Sequence, residues 1–280
     1  MKSPQFEKMT SIKKLIETIH TLRAPGGCPW DQKQTHQSLR PYLIEEAYEL
    51  LEVLDQINDD NRTKETTIKN DFIEELGDVL LQVILHSEIT NENGSFDIFD
   101  VAEAQNQKLI SRHPHVFGDE KVSTAEEVMK FWEKNKSTEK KRESILDGIP
   151  KELPALQKSE KIISRVSKVG FQWKSHKGAL DKLEEELSEF KQEVDEYLDQ
   201  NSSKSKQKMK EELGDILFSI CNVAHFLDLD PEEALRETIQ KFEYRFNFIE
   251  KKIKETNSSL TEINLDKMNE LWEKAKKNEK

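Results

Sequence analysis

The residues best suited to chemistry in this sequence are carboxylates set three positions apart. Glu186 and Glu189 form one such pair, and Glu212 and Asp215 form another. On a helix this spacing puts each pair on one face, about one turn apart. Two such helices packed antiparallel bring four carboxylates together. An oxygen-only cluster of this kind suits a hard divalent cation, and magnesium completes its octahedron with water and substrate phosphates. The same set occurs earlier as Glu46, Glu49, Glu75 and Asp78. Acidic pairs on helices are most often solvated faces, and the chain has 55 acidic residues. Two features weigh against that reading. Like charges at this spacing destabilise a helix by about 0.2–0.5 kcal/mol per pair, yet the cluster occurs twice. A mid-helix glycine costs about 1 kcal/mol relative to alanine, yet Gly77 and Gly214 each precede the aspartate. Each glycine is expected at a close backbone approach to the partner helix or a ligand, or as a plain packing residue.

The elements that position these carboxylates are themselves duplicated. Glu74-Glu75-Leu76-Gly77-Asp78-Val79-Leu80-Leu81 recurs as Glu211-Glu212-Leu213-Gly214-Asp215-Ile216-Leu217-Phe218. Upstream, Ile44 to Glu49 is echoed by Glu184 to Glu189, and downstream Phe131-Trp132-Glu133-Lys134 reappears as Leu271-Trp272-Glu273-Lys274. The three matches keep their order at offsets of 137 to 140. A looser fourth pairs Lys108 and Arg112 with Lys241 and Arg245. The apolar period within each copy is helical. In the first copy it predicts helices over 6–22, from Pro41 in a first helical turn to Ile57, and over 69–91, 99–111 and 125–136, with a loop at 24–29. Thr124 and Glu127 read as a capping box for the last. In the second copy Val169 to Trp173 is the loop, Asp230-Pro231-Glu232-Glu233 starts a helix, and Asn201 to Ser205 is a polar connection. The expected division is a first module over 1–137, a charged, proline-punctuated linker over 138–154 and a second module over 155–280.

Several of these segments resemble a known family. The ExxE and ExxD pairs on neighbouring helices are similar to the signature of the all-α nucleoside triphosphate pyrophosphohydrolases. Gly27-Cys28-Pro29-Trp30-Asp31, running on to Gln34-Thr35-His36-Gln37-Ser38-Leu39, resembles the N-terminal motif of the MazG family. Gly170-Phe171-Gln172-Trp173 and Lys241-Phe242-Glu243-Tyr244-Arg245-Phe246 resemble MazG segments of the second module. The resemblance covers nearly the whole chain. It implies an all-α tandem repeat of two helical-bundle modules, magnesium-dependent hydrolysis of nucleoside triphosphates to monophosphates and pyrophosphate, several accepted bases, and a homodimer. The enzymatic alternative is a narrow pyrophosphatase for dUTP, dCTP or a damaged nucleotide. The non-enzymatic one is a helical interaction protein with acidic faces.

A triphosphate needs cations beyond the metal. Lys182 lies four residues before Glu186, and Lys208 four before Glu212. Lys241 and Arg245 share one face of the following helix and match positions that resemble triphosphate contacts in the family. In the first copy Lys108 and Arg112 take their place, but Tyr42 and Asp71 stand where Lys182 and Lys208 align. The second module is therefore expected to be the better hydrolase. The family resemblance implies that Trp272, and Trp132 in the first copy, stack on the base, with ordinary aromatic core as the alternative. Glu185 or Glu211 is the candidate general base for the attacking water. His113-Pro114-His115 lacks a third ligand at zinc-like spacing.

Composition bounds the rest. The net charge of −12 argues against binding a nucleic-acid backbone. Glycine and proline number 9 and 8, too few for a turn-rich β fold. Cys28 and Cys221 form no CxxC pair. There is no P-loop and no GxSxG motif. No long apolar run or apolar leader is present, so a cytoplasmic protein without membrane partners is expected.

Overall fold

The computed structural model describes residues 4–57, 66–118, 124, 127–128, 143–200, 202–256 and 258–278. All regular secondary structure among them is helical. The chain divides into two compact units, Met1–Lys140 and Lys141–Lys280.

The first unit contains α1 (Pro4–Arg23), the one-turn α2 (Pro29–Gln32), α3 (His36–Gln56), α4 (Thr66–Glu92), α5 (Ile98–Arg112) and the short α6 (Pro114–Phe117). Its core joins Ile19 of α1, Leu39 of α3 and Ile84, Leu85 and Ile89 of α4, with Leu15, Ile16, Leu81 and Ile98 packed against them. The helices α3 and α4 run antiparallel. His36, at the start of α3, lies 2.8 Å from His86, whereas Glu46 farther along α3 meets Glu75 and Asp78 near the start of α4.

Helix α3 begins five residues before Pro41, which the sequence places in a first turn. Thr35 takes the cap: its side chain accepts from the Ser38 N–H, and the Ser38 hydroxyl accepts from the Thr35 N–H. Pro41 thus sits inside the helix at the cost of one backbone bond. The motif from Gly27 to Gln34 is fastened to this unit by Arg23, whose side chain is 3% exposed. Its guanidinium donates to both Glu92 oxygens, at 2.6 and 2.9 Å, and to the carbonyls of Asp31 and Gln34. Gly27 abuts the carbonyls of Thr21 and Leu22 so closely that a Cβ has no room.

The second unit contains α7 (Ala155–Ser167), α8 (His176–Gln200), α9 (Ser203–Phe226), α10 (Pro231–Glu255), a 3-10 turn (Leu260–Glu262) and α11 (Leu265–Asn278). Helices α8 and α9 form its long antiparallel pair: Glu186 meets Glu212 and Asp215, while Glu193 farther along α8 meets Lys208 earlier on α9. Helix α7 packs on α9, and α10 packs on α11. The last pair encloses Ile249, Ile253 and Leu271, flanked by Met268 and Trp272. Helix α10 starts as its sequence predicts, with Asp230 accepting from the N–H groups of Glu232 and Glu233. Helix α9 claims part of the expected connection, because Ser202 caps it by accepting from the Ser205 N–H at 3.1 Å.

Later in the first unit, the Glu127 N–H donates to Thr124 Oγ1 at 3.2 Å, but most of the helix expected from 125 to 136, with Trp132, lies outside the described residues. Part of the 138–154 stretch folds onto α7, where Arg165 donates to the carbonyls of Ile145 and Asp147 at 3.0 and 2.6 Å.

Replacing Arg23 by alanine strands a carboxylate and two carbonyls. It is expected to destabilise the first unit by about 2–3 kcal/mol. Urea denaturation of the full chain followed by circular dichroism measures this, and an unchanged midpoint would show that the tie contributes nothing.

Candidate functional site

In the second unit, carboxylate oxygens of Glu186, Glu212 and Asp215 lie within 4.8 Å of one another. Glu186 is buried, at 6% exposure, between α8 and α9. The Glu212 carboxyl is held above its usual range, first by partial withdrawal from water and then by Glu189, Glu186 and Asp215. Glu189 therefore stands beside the group, although its oxygens fall outside the 4.8 Å set. The first unit repeats this, with Glu46, Glu75 and Asp78 within the same limit. Desolvation, followed by Asp78 and Glu49, raises the Glu46 carboxyl, and desolvation followed by Glu49 and Asp78 raises Glu75. Glu75 Oε2 is buried and has no hydrogen-bond partner. Crowded, partly dehydrated carboxylates with an orphaned oxygen are the condition a hard cation relieves.

The cations are distributed unevenly. Lys182 touches Glu185 Oε1 and Glu186 Oε1, each at 2.7 Å. Its ammonium is held well above the ordinary lysine range, first by the hydrogen bond to Glu185 and then by that to Glu186. Lys208 turns away from Glu212 to Glu193, at 3.0 Å, and to Glu196, at 4.0 Å. Lys241 pairs with Glu237 of its own helix at 3.3 Å. The Arg245 guanidinium lies 5.3 Å over the Trp272 ring, and Phe242 packs on the same tryptophan at 5.2 Å. Lys241, Arg245 and Trp272 thus belong to the α10–α11 pair. Of the two candidate bases, Glu185 is linked to Glu186 through Lys182, while Glu211 is exposed and accepts from Gln207 at 2.9 Å.

In the first unit Tyr42 makes an edge contact with Trp30, with ring centroids 6.3 Å apart. Lys108 is exposed and reaches Gln105 at 3.5 Å, whereas Arg112 is buried at the end of α5. The His113 Nδ1 atom lies 2.7 Å from the Leu109 carbonyl oxygen.

Gly77 and Gly214 have open space where a Cβ would sit, so among the described residues no helix of their own unit approaches them. The close approach expected within the module is absent, and so is a packing role inside it. Both border exposed apolar stripes: Leu76, Leu80 and Val83 on α4, and Leu213, Leu217 and Ile220 on α9.

Sequence reasoning missed the cavity beside the carboxylates, of about 440 Å³. Its walls include Phe171 and Trp173 from the loop after α7, and Phe218, Ser219 and Asn222 from α9. Lys182, Glu186 and Asp215 open into it. Gly170, at φ +86°, turns the chain out of α7 into that loop. Trp173 lies over Gly178, where a Cβ would stand 3.3 Å from the ring. The signal was available: Asp215, Ser219 and Asn222 are related as i, i+4 and i+7, which is one helical face.

Comparison with known proteins fits this geometry. A family model described as the MazG nucleotide pyrophosphohydrolase domain matches the chain twice, at residues 34–117 and 174–248. The matched spans hold all eight carboxylates and the candidate lysines and arginines, but neither Trp132 nor Trp272. The chain is 44% identical to the nucleoside triphosphate pyrophosphohydrolase/pyrophosphatase MazG of Thermotoga maritima, over 95% of both chains. It is 36% identical to a nucleoside triphosphate pyrophosphohydrolase of Escherichia coli K12, over 97% of this chain and 99% of that one. The uncharacterized protein YabN of Bacillus subtilis is 45% identical over 94% of this chain, which spans 51% of its length.

A carboxyl raised in the folded state favours the protonated protein. Its stabilising contribution is complete below the reference value of 4.5 and is lost as pH rises through the raised value. In metal-free buffer, Glu212→Gln is therefore expected to melt above the unsubstituted protein, with the gap widening as pH rises above the reference value of 4.5. Parallel melting curves across that range would contradict the crowding.

Proposed function

The chain belongs to the MazG nucleotide pyrophosphohydrolase family, and from that membership we propose that it hydrolyses nucleoside triphosphates to nucleoside monophosphates and pyrophosphate, with magnesium, chiefly at the carboxylates of its second unit. The observation that carries this reading is the approach of Glu186, Glu212 and Asp215 within 4.8 Å, with Glu189 alongside. The donor set is all oxygen, and its like charges are crowded, which fits a hard divalent cation. Glu186, Glu189, Glu212 and Asp215 would hold magnesium in the second unit, and Glu46, Glu49, Glu75 and Asp78 in the first. Such an ion supplies Lewis acidity and neutralises phosphate charge.

The chain's own residues do the rest. Water adds to the α-phosphorus, the bond to the bridging oxygen breaks, and pyrophosphate leaves. Glu185, joined to Glu186 through Lys182, is the better placed of the two candidate bases to take the water's proton, with Glu211 the second. Lys182, Lys208, Lys241 and Arg245 stabilise the charge on the phosphates. The first unit has Tyr42 and Asp71 in place of two of these cations, leaving Lys108 and Arg112, so its contribution to turnover is small. Trp272 supports the nucleotide from the α10–α11 pair.

The exposed stripes on α4 and α9 support a homodimer, since bare Gly77 beside Leu76 and bare Gly214 beside Leu213 let a second copy approach closely. No helix among the described residues is long and apolar enough to cross a membrane, and a cytoplasmic setting suits a nucleotide substrate.

Purified protein incubated with ATP and magnesium should yield AMP and pyrophosphate by HPLC, whereas ADP with phosphate would refute the reading. Glu189→Ala is expected to lower kcat/KM by about a hundredfold or more, roughly 2.7 kcal/mol. Glu49→Ala should change it by less than about threefold. Sedimentation should give twice the 32.7 kDa chain mass, with Leu217→Glu shifting the protein toward monomer.

A further inference from the structure

The cavity beside the carboxylates has a division of labour written along one helix. Asp215, Ser219 and Asn222 occupy one face of α9, so Asn222 stands about 10 Å along the axis from Asp215. At its Asp215 end the cavity meets Lys182 and Glu186, which suit phosphates and their cation. Toward the other end it meets aromatic surface, Trp173 and Phe218, together with two polar side chains. Neither the Ser219 hydroxyl nor the Asn222 amide has a hydrogen-bond partner among the described residues, although Ser219 is buried and Asn222 half-buried. A volume of about 440 Å³ falls within the range of small-molecule sites, roughly 300–1,000 Å³. Apolar and aromatic walls with a few convergent, unsatisfied polar groups are the mark of such a site.

Resting on the pyrophosphohydrolase reading, we propose that the nucleobase is held in this cavity against Trp173 and Phe218, and that Asn222, assisted by Ser219, reads its edge. The asparagine amide offers two donors and an acceptor on one plane, and the hydroxyl offers one donor and an acceptor. Together they match a base edge that presents a donor beside an acceptor. A site built this way discriminates more sharply than stacking alone, because a mismatched edge leaves buried polar groups unpaired.

The first unit lacks the device. Its counterparts of Ser219 and Asn222 are Gln82 and Leu85, both buried, and Leu85 belongs to the core with Leu39 and Ile84. The helical face that lines a cavity in one unit places Leu85 in the core of the other, where Gln82 keeps a buried Oε1 without a partner. Base selection is thus a property of the second unit.

The test uses an exchange of hydrogen-bonding character that cancels general losses. At neutral pH an aspartate at position 222 only accepts, so Asn222→Asp favours the amino group of cytosine and repels the carbonyl of uracil. The ratio of kcat/KM for CTP over UTP is expected to rise at least about tenfold in Asn222→Asp. In Asn222→Leu, the residue type of the first unit, the wild-type preference should flatten to within about threefold. Dissociation constants for CMP and UMP, measured by calorimetry on the same three full-length proteins, should follow the same ratios. Pyrophosphate release with ratios unchanged in both variants overturns the base pocket and leaves the proposed function standing. Monophosphate affinities that follow the ratios without pyrophosphate release from any triphosphate overturn the function and leave the pocket standing.

Discussion

The molecule is organised around a repulsion. Three carboxylates share a space in which Glu186 and Asp215 help to hold the Glu212 carboxyl above its usual range, and the antiparallel pair α8–α9 keeps them there. A solvated helix face has no need of such crowding and relaxes out of it. Here the packing of α7 on α9 and the placement of Glu186 inside the pair prevent that relaxation. Crowded oxygens of this kind suit a hard cation. The α3–α4 pair imposes the same constraint with different means. Leu39, Ile84 and Leu85 hold the helices together, and Glu75 keeps an oxygen without a partner.

Much of this was legible in the amino acids. Spacings of three located the carboxylate faces, and the repeated Glu-Glu-Leu-Gly-Asp string revealed the duplication. Helix starts governed by local chemistry, such as Asp230-Pro231, were equally plain. The misses occurred where a distant or competing contact decided the outcome. Thr35 and Ser38 capped α3 ahead of Pro41 because their reciprocal bonds outweigh one bond lost at the proline. Lys208 follows α8 rather than its own helix, since Glu193 lies within reach and Glu212 is shared among carboxylates. Arg23 and Glu92, 69 positions apart, are tied by a bond that no periodicity encodes. Ser219 and Asn222 were overlooked because a serine and an asparagine in a helix carry no motif of their own. Only projection along the face from Asp215 singles them out.

Duplication has left the two units alike at the carboxylates and unlike around them. The charged positions keep their spacing, while the positions that govern access have drifted. Tyr42 meets Trp30 where the second unit sets Lys182 against two glutamates. Leu85 joins a core where Asn222 faces a cavity. The scaffold thus keeps its carboxylate cluster while the residues around it differ.

Lys182 has a consequence of its own. It is a tethered counter-ion, built into the same helix as the acid it neutralises. The second unit therefore folds with part of its charge already compensated, before any soluble ion arrives. The first unit has a phenol at that position, and its Glu46 and Glu75 carboxyls are raised by withdrawal from water and by the neighbouring carboxylates. The two halves of the chain are therefore unequally burdened, and the half without a tether bears more of the electrostatic load.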